Sequence, residues 1–236
     1  MAPRKKQWIP VLLALPLLLT LVVFAQPSAP NAVGLVGAER VEALLARTEV
    51  EQGKLRSMRA RFVQRQEGPL FLEPEESTGT LYFLAPERIR WDFDPPVDMV
   101  VVLADGEMLT WYRALDEVER RSLKGGAGER LQRLLGAVPS LAELKRYFNL
   151  RVTFPADPKA PYRLDLDPRS ARVARRIHSV RLDLHREFYV PVFVRYEEAN
   201  GGVTEIRFHD LEVGGEVKKD LFTPKLPSDV VVRRVP

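Results

Sequence analysis

Apolar positions recur along this chain in two periods, and the switch between them divides it. From Glu39 onward, Val41, Leu44, Leu45 and Thr48 follow at three- and four-residue intervals, opposite Glu39, Arg40, Glu42 and Arg47. That spacing predicts an amphipathic helix. Leu55 and Met58 prolong it as a second helical surface over roughly Glu51–Ala60, before the chain turns extended near Phe62. Period two then takes over. Thr80–Leu84 is aromatic and apolar, and Arg88–Phe93 alternates, with Ile89, Trp91 and Phe93 on one face and Arg88, Arg90 and Asp92 on the other. Asp94-Pro95-Pro96 stops that strand. Met99–Leu103 is an unbroken apolar run, Ala104-Asp105-Gly106-Glu107 reads as a tight hairpin, and Met108–Tyr112 returns. Further strands are predicted at Leu150–Phe154, Tyr162–Leu166, Val180–Leu184, Tyr189–Tyr196 and Val203–Phe208, with a hairpin at Asn200-Gly201-Gly202.

One helical stretch interrupts this meander. Across Gly128–Tyr147 and just beyond, Leu131, Leu134, Leu135, Val138, Leu141, Leu144 and Phe148 keep helical spacing, broken at Pro139-Ser140, where Ser140 can cap a second piece running Leu141–Phe148. The pattern predicts an α+β, mainly β chain. Its sheet is a strongly curved antiparallel one of about ten or eleven strands, with short helices packed on one face. Residues 39–236 then form a single domain.

The first residues alter the charge and the compartment. Arg4, Lys5 and Lys6 precede an uncharged run from Ile9 to Ala25, and Val23-Phe24-Ala25 suits cleavage before Gln26. Residues 1–25 read as a secretory signal peptide, the rival being an uncleaved membrane anchor. Residues 26–38, small and rich in Pro and Gly, read as a flexible leader. The whole chain carries 36 Lys+Arg against 32 Asp+Glu, and losing the signal's three basic residues leaves the body nearly neutral. Such a body lacks the concentrated basic face that nucleic acid requires. The one local basic run, Arg169–Arg176, reads as a solvated turn. With no cysteine in its 236 residues, the chain has no disulfide, thiolate metal site or cysteine nucleophile.

Candidate chemistry is sparse. His178 and His185 are seven residues apart in strand-like sequence, an odd offset that puts them on opposite faces, and His209 lies elsewhere. Metal-binding, nucleophile-elbow, phosphate-loop and dinucleotide motifs do not occur. Gly125-Gly126-Ala127-Gly128 lacks the partners of an anion-binding loop and reads as a linker. Asp165, Asp167 and Asp183 alternate with leucines as the wet side of strands. No catalytic residue, cofactor site or metal site is predicted. What stands out is the aromatic and branched content of residues 80–112. It suits either a filled core or the wall of a cavity able to hold an acyl ligand.

Four segments, in order, resemble one family. Met58-Arg59-Ala60-Arg61-Phe62-Val63-Gln64 is similar to its opening strand. Gly79-Thr80-Leu81-Tyr82-Phe83 with Pro86-Glu87-Arg88-Ile89-Arg90-Trp91 is similar to a following block. Ala104-Asp105-Gly106 with Trp111-Tyr112 resembles its hairpin, and Leu221-Phe222-Thr223-Pro224-Lys225-Leu226-Pro227 with Val230-Val231-Val232 resembles its close. The family is that of the periplasmic outer-membrane lipoprotein carriers, the LolA-like group. The resemblance implies an incomplete β-barrel whose hydrophobic cavity is closed by a helical lid. It further implies a non-enzymatic, monomeric carrier of lipoprotein acyl chains, loaded by an inner-membrane exporter and unloaded by an outer-membrane acceptor. On this reading Leu81, Phe83, Ile89, Trp91, Phe93, Val101 and Trp111 form the lipid-binding wall. Leu131, Leu134, Leu135, Leu141, Leu144 and Phe148 form the lid. The family often has a lid-fastening arginine directly before the block's proline, where this chain has Ala85; Arg88 and Arg90 lie on the face away from Ile89 and Trp91. An envelope-stress sensor or lipid-regulated interaction module of the same fold is the alternative.

Overall fold

The computed structural model describes residues 37–69, 71–123 and 141–235. The signal segment, most of the leader, the Gly125–Gly128 loop, Leu131, Leu134, Leu135, Val138 and the Pro139-Ser140 break lie outside them.

Helix α1 spans Gly37–Lys54 and buries Ala43, Leu44, Leu45, Thr48 and Gln52. It starts two residues inside the predicted leader. Two buried polar groups on its inner stripe are bonded: Thr48 Oγ1 donates to the Leu44 carbonyl at 2.9 Å and Gln52 Nε2 to the Tyr189 carbonyl at 2.9 Å. The second helical surface does not form. The helix ends at Lys54 and strand β1 begins at Ser57. Met58 suits both periods, but Met58, Ala60, Phe62 and Gln64 are all buried while Arg59 and Arg65 are exposed. With neighbours on both sides, period two wins.

Twelve strands form one sheet: β1 (Ser57–Glu67), β2 (Glu75–Leu84), β3 (Arg88–Phe93), β4 (Met99–Ala104), β5 (Glu107–Tyr112), β6 (Glu117–Ser122), β7 (Phe148–Thr153), β8 (Tyr162–Pro168), β9 (Ile177–Leu184), β10 (Pro191–Glu198), β11 (Val203–Val213) and β12 (Val231–Val235). Their spatial order is β12-β6-β5-β4-β3-β2-β1-β11-β10-β9-β8-β7. Every neighbouring pair is antiparallel except β12, which runs parallel to β6. The edges β12 and β7 do not meet, so the barrel is incomplete. The sequence pattern passed over β6, whose Glu-Val-Glu-Arg-Arg-Ser carries one apolar residue, and β12, which follows Pro- and Asp-bearing loop sequence. At Asp105-Gly106 the hairpin has φ of +53° and +76°, the left-handed pair that a two-residue connection of twisted strands demands.

The sheet is concave on one side. Strands β3 and β11 are three strand spacings apart, about 14 Å along a flat sheet. Yet the rings of Trp91 and Phe208 approach to 5.9 Å between centroids. Helices α1 and α2 (Leu141–Tyr147) lie on this concave side: Leu45 and Leu144 join its core cluster. Glu42 and Lys145 pair across the two helices. The predicted second helix ends one residue early, because Phe148 opens β7 opposite Pro168. On the convex side, a single-turn 3-10 helix at Lys219–Phe222 packs Phe222 on Val100, Val102, Leu109 and Val118. This covering explains why β4 is apolar on both faces.

Candidate lipid-binding face

The concave wall is built from cross-strand rows, set by the registers of β1 to β4. One row runs Met58–Phe83–Ile89–Leu103, and the next Ala60–Leu81–Trp91–Val101. In the third, Phe62 stands opposite Gly79, which stands opposite Phe93. Here a glycine is required. A Cβ on Gly79 would lie 2.5 Å from Phe62 Cζ and 2.3 Å from the Asp92 carbonyl oxygen. Without one, the Phe62 ring fills the gap and meets Trp91 and Phe93 edge-on, each at 5.0 Å between centroids. Each such contact is worth about 0.5–1.5 kcal/mol beyond area burial.

Of the seven wall residues expected from sequence, six stand together in this cluster: Leu81, Phe83, Ile89, Trp91, Phe93 and Val101, each at most 5% exposed. Trp111 does not. Register places it opposite Val100 and Val118, and it packs in the convex cluster beside Phe222. Alternation along β5 gives the concave positions to Met108 and Tyr112 instead. Burial pushes the Tyr112 hydroxyl up to about 12. Of the residues expected to form a lid, Leu144 is 4% exposed in the concave cluster and Phe148 packs half-buried against it. Leu141 starts α2. Phe62 and Phe208, central to the aromatic group, were not on the expected wall. Alternation in β1 was the signal for Phe62, obscured by the helical reading of Leu55 and Met58.

Arg90 and its neighbours secure the opposite face. Only 8% exposed, Arg90 grips Asp92 Oδ2 through Nη2 at 2.6 Å and donates through Nη1 to the Leu221 carbonyl at 2.8 Å. Arg113 joins Asp92 at 2.8 Å to Asp98 at 3.1 Å. The arginine before Trp91 thus fastens the C-terminal segment. Ala85, where the resemblance led one to look for a fastening arginine, is half-buried against the concave cluster. The basic run folds as a helical turn, α3 (Ala171–Ala174), with Arg172, Arg175 and Arg176 exposed. Among the described residues no group of three or more His, Asp or Glu side chains could hold a metal.

A family described as "Outer membrane lipoprotein carrier protein LolA" matches residues 53–225, most of the chain and every strand of the wall. The chain belongs to the LolA family. It is 34% identical over 178 residues to an outer-membrane lipoprotein carrier protein of Alkalilimnicola ehrlichii, covering 74% of this chain and 77% of that one. Among solved structures, an uncharacterised conserved protein of Thermus thermophilus shares the fold at a TM-score of 0.54 and 12% identity, covering 83% of this chain and 99% of that one. MucB shares it at 0.53 and 18% identity, covering 83% of this chain and 66% of that one. The LolA proteins are periplasmic carriers, and this chain is a lipoprotein carrier homologue whose open sheet has the LolA architecture.

Proposed function

We propose that this LolA-family protein shelters the acyl chains of lipoproteins between the concave face and its helices, and moves them from the inner to the outer membrane. The observation that carries this reading is the large apolar cluster that lines the concave face. Its aromatic rows are crossed by only two described helices, one of them two turns long. Each methylene removed from water contributes about 0.8 kcal/mol. A carrier must therefore cover long chains and still release them, which short helices at an open sheet edge allow. The expected wall is Leu81, Phe83, Ile89, Trp91, Phe93 and Val101, and the expected lid is the leucine series from Leu131 to Leu144. Residues 1–25 act as the signal that sends the chain to the periplasm. An inner-membrane exporter loads the carrier and an outer-membrane acceptor empties it.

The test is a native mass spectrum of the protein purified from its own envelope without detergent. Added mass that leaves on denaturation and fragments as acyl chains is the expected result. A bare mass, with no uptake of added lipopeptide, would overturn the carrier reading in favour of a protein-interaction module. Leu135→Glu and Ile89→Glu are expected to abolish loading while far-UV circular dichroism stays that of a sheet. Loading that survives both changes would remove the wall and lid assignments.

A further inference from the structure

From Arg169 to His178 the chain carries four arginines and a histidine and no acidic residue. The fold brings a fifth arginine to them. The Arg169 amide donates to the carbonyl of Tyr147, the last residue of α2, at 2.8 Å, which sets Arg146 and Tyr147 beside the turn. On its other side the Ala199 amide donates to the Arg176 carbonyl at 3.0 Å. Arg146, Arg169, Arg172, Arg175, Arg176 and His178 are all exposed, and so is Tyr147, at 47%.

These arginines differ from most exposed ones of the protein in what they touch. Arg59 pairs with Glu212, Arg65 with Glu67, Arg207 with Glu205 and Arg233 with Glu117. Among the described residues Arg146, Arg172, Arg175 and Arg176 have no such partner, and the Arg169 side chain donates to the Asn149 carboxamide at 3.0 Å. The neighbouring carboxylates are engaged: Asp167 by Arg151 at 3.0 Å, Glu197 by Arg195 at 3.4 Å, and Glu198 by Asn200 Nδ2 at 3.1 Å. Like charges held together without counter-ions raise the local potential, and guanidinium forks fit pairs of phosphate oxygens. The rest of the exposed turn is Ser170, Ala171 and Ala174, whereas a protein interface needs a core of aromatic and branched side chains. One aromatic ring among arginines instead matches a residue seated at the level of lipid headgroups.

We propose that this patch docks the protein on an anionic phospholipid surface, with the guanidinium groups of Arg146, Arg169, Arg172, Arg175 and Arg176 on lipid phosphates and Tyr147 at headgroup depth. Strand β7, a free edge of the sheet, begins directly after Tyr147, and its Phe148, Leu150 and Val152 pack against the concave apolar cluster. Docking here lays the open edge of that face along the bilayer. Each arginine near such a surface strengthens binding by about fivefold, and salt weakens the attraction. The patch is separate from the acyl-binding wall, and the inference goes beyond the carrier reading.

The test is co-sedimentation of the purified protein with vesicles of phosphatidylcholine alone and of phosphatidylcholine mixed with phosphatidylglycerol, at low and at high salt. Binding is expected to the mixed vesicles only, and it should fall as salt rises. Arg172→Gln, Arg175→Gln and Arg176→Gln combined should weaken it by about a hundredfold. Unfolding temperature and lipopeptide uptake should stay unchanged, because all three side chains are exposed. Arg59→Gln, Arg65→Gln and Arg233→Gln combined remove the same charge elsewhere and should leave binding within about twofold. Equal binding to both vesicle types, binding indifferent to salt, or equal losses in the two triple variants would each overturn the proposal. Absence from both vesicle pellets would overturn it too and point to an acidic protein as the partner. Lost lipopeptide uptake in the patch variant would place the arginines in the cargo site and overturn it as well. The carrier reading is tested separately, by acyl mass on the unmodified protein, and stands or falls apart from these outcomes.

Discussion

Gly79 is the position at which a single methyl group decides the fit of the wall. Its backbone conformation is ordinary, and what excludes a side chain is space. The Asp92 carbonyl at 2.3 Å is backbone and cannot rotate away. Gly79→Ala is expected to lower stability by about 1–3 kcal/mol, read as a drop in urea midpoint at unchanged slope. Adding Phe62→Leu should recover only part of the loss, because the carbonyl remains. Arg90 is a second residue whose role came from its surroundings. Alternation put it on the outer face, but the Leu221 carbonyl it holds is 131 residues away in sequence. Arg90→Met is expected to cost about 1.5–3 kcal/mol, the range for hydrogen bonds to charged groups, with lipid uptake preserved since no concave contact is lost. Impaired uptake at unchanged stability would contradict that placement.

Among the elements, β3, β4, β5 and their hairpin were legible because alternation, an unbroken apolar run and Asp-Gly each have one reading. The junction of α1 and β1 was not: Leu55 and Met58 satisfy helical spacing, and only pairing with β2 and β11 decides for a strand. β6 and β12 were missed because edge-side strands, one covered on one face and one exposed, need little apolar content. The end of β3 is tied back to β1 and β2 through Asp94, which accepts from Arg61 Nη2 at 2.6 Å and from Thr78 Oγ1 at 2.7 Å. The Arg61 hydrogen bond, reinforced by Thr78, holds the Asp94 carboxyl below the usual carboxylate range. A depressed folded value means the contribution is fully present above about pH 4 and is lost as pH falls through the lowered value. Because the Asp94 side chain is 38% exposed, solvent screening keeps the effect small. Urea midpoints measured from about pH 5 down to about pH 2 should fall more for the unmodified protein than for Asp94→Asn. Parallel profiles would refute the assignment.

For the whole molecule, the open sheet has two apolar faces with different covers. The concave face is crossed by α1 and α2, and the convex face by the C-terminal segment that carries Phe222 and ends as β12. Phe222 is 4% exposed and bridges four buried convex side chains. Phe222→Ala is expected to cost about 3–5 kcal/mol, seen as a lower unfolding temperature, while acyl binding in the folded fraction remains. If binding fails with the fold intact, the two faces are coupled and the separation drawn above is wrong.

The sequence by itself determined the mainly β class, the helices at α1 and α2, the hairpins and the apolar strands that carry Leu81, Phe83, Ile89, Trp91, Phe93 and Val101. Each depends on local periodicity or turn chemistry, and the ordered motifs carried the family. Only the tertiary structure decided which face each strand turns inward, and so sent Trp111 to the convex side. It also decided that Phe62 lies over Gly79 and that Arg90 holds the Leu221 carbonyl. These follow from registers between strands far apart in the chain. A one-residue change of register exchanges the faces without altering any local pattern.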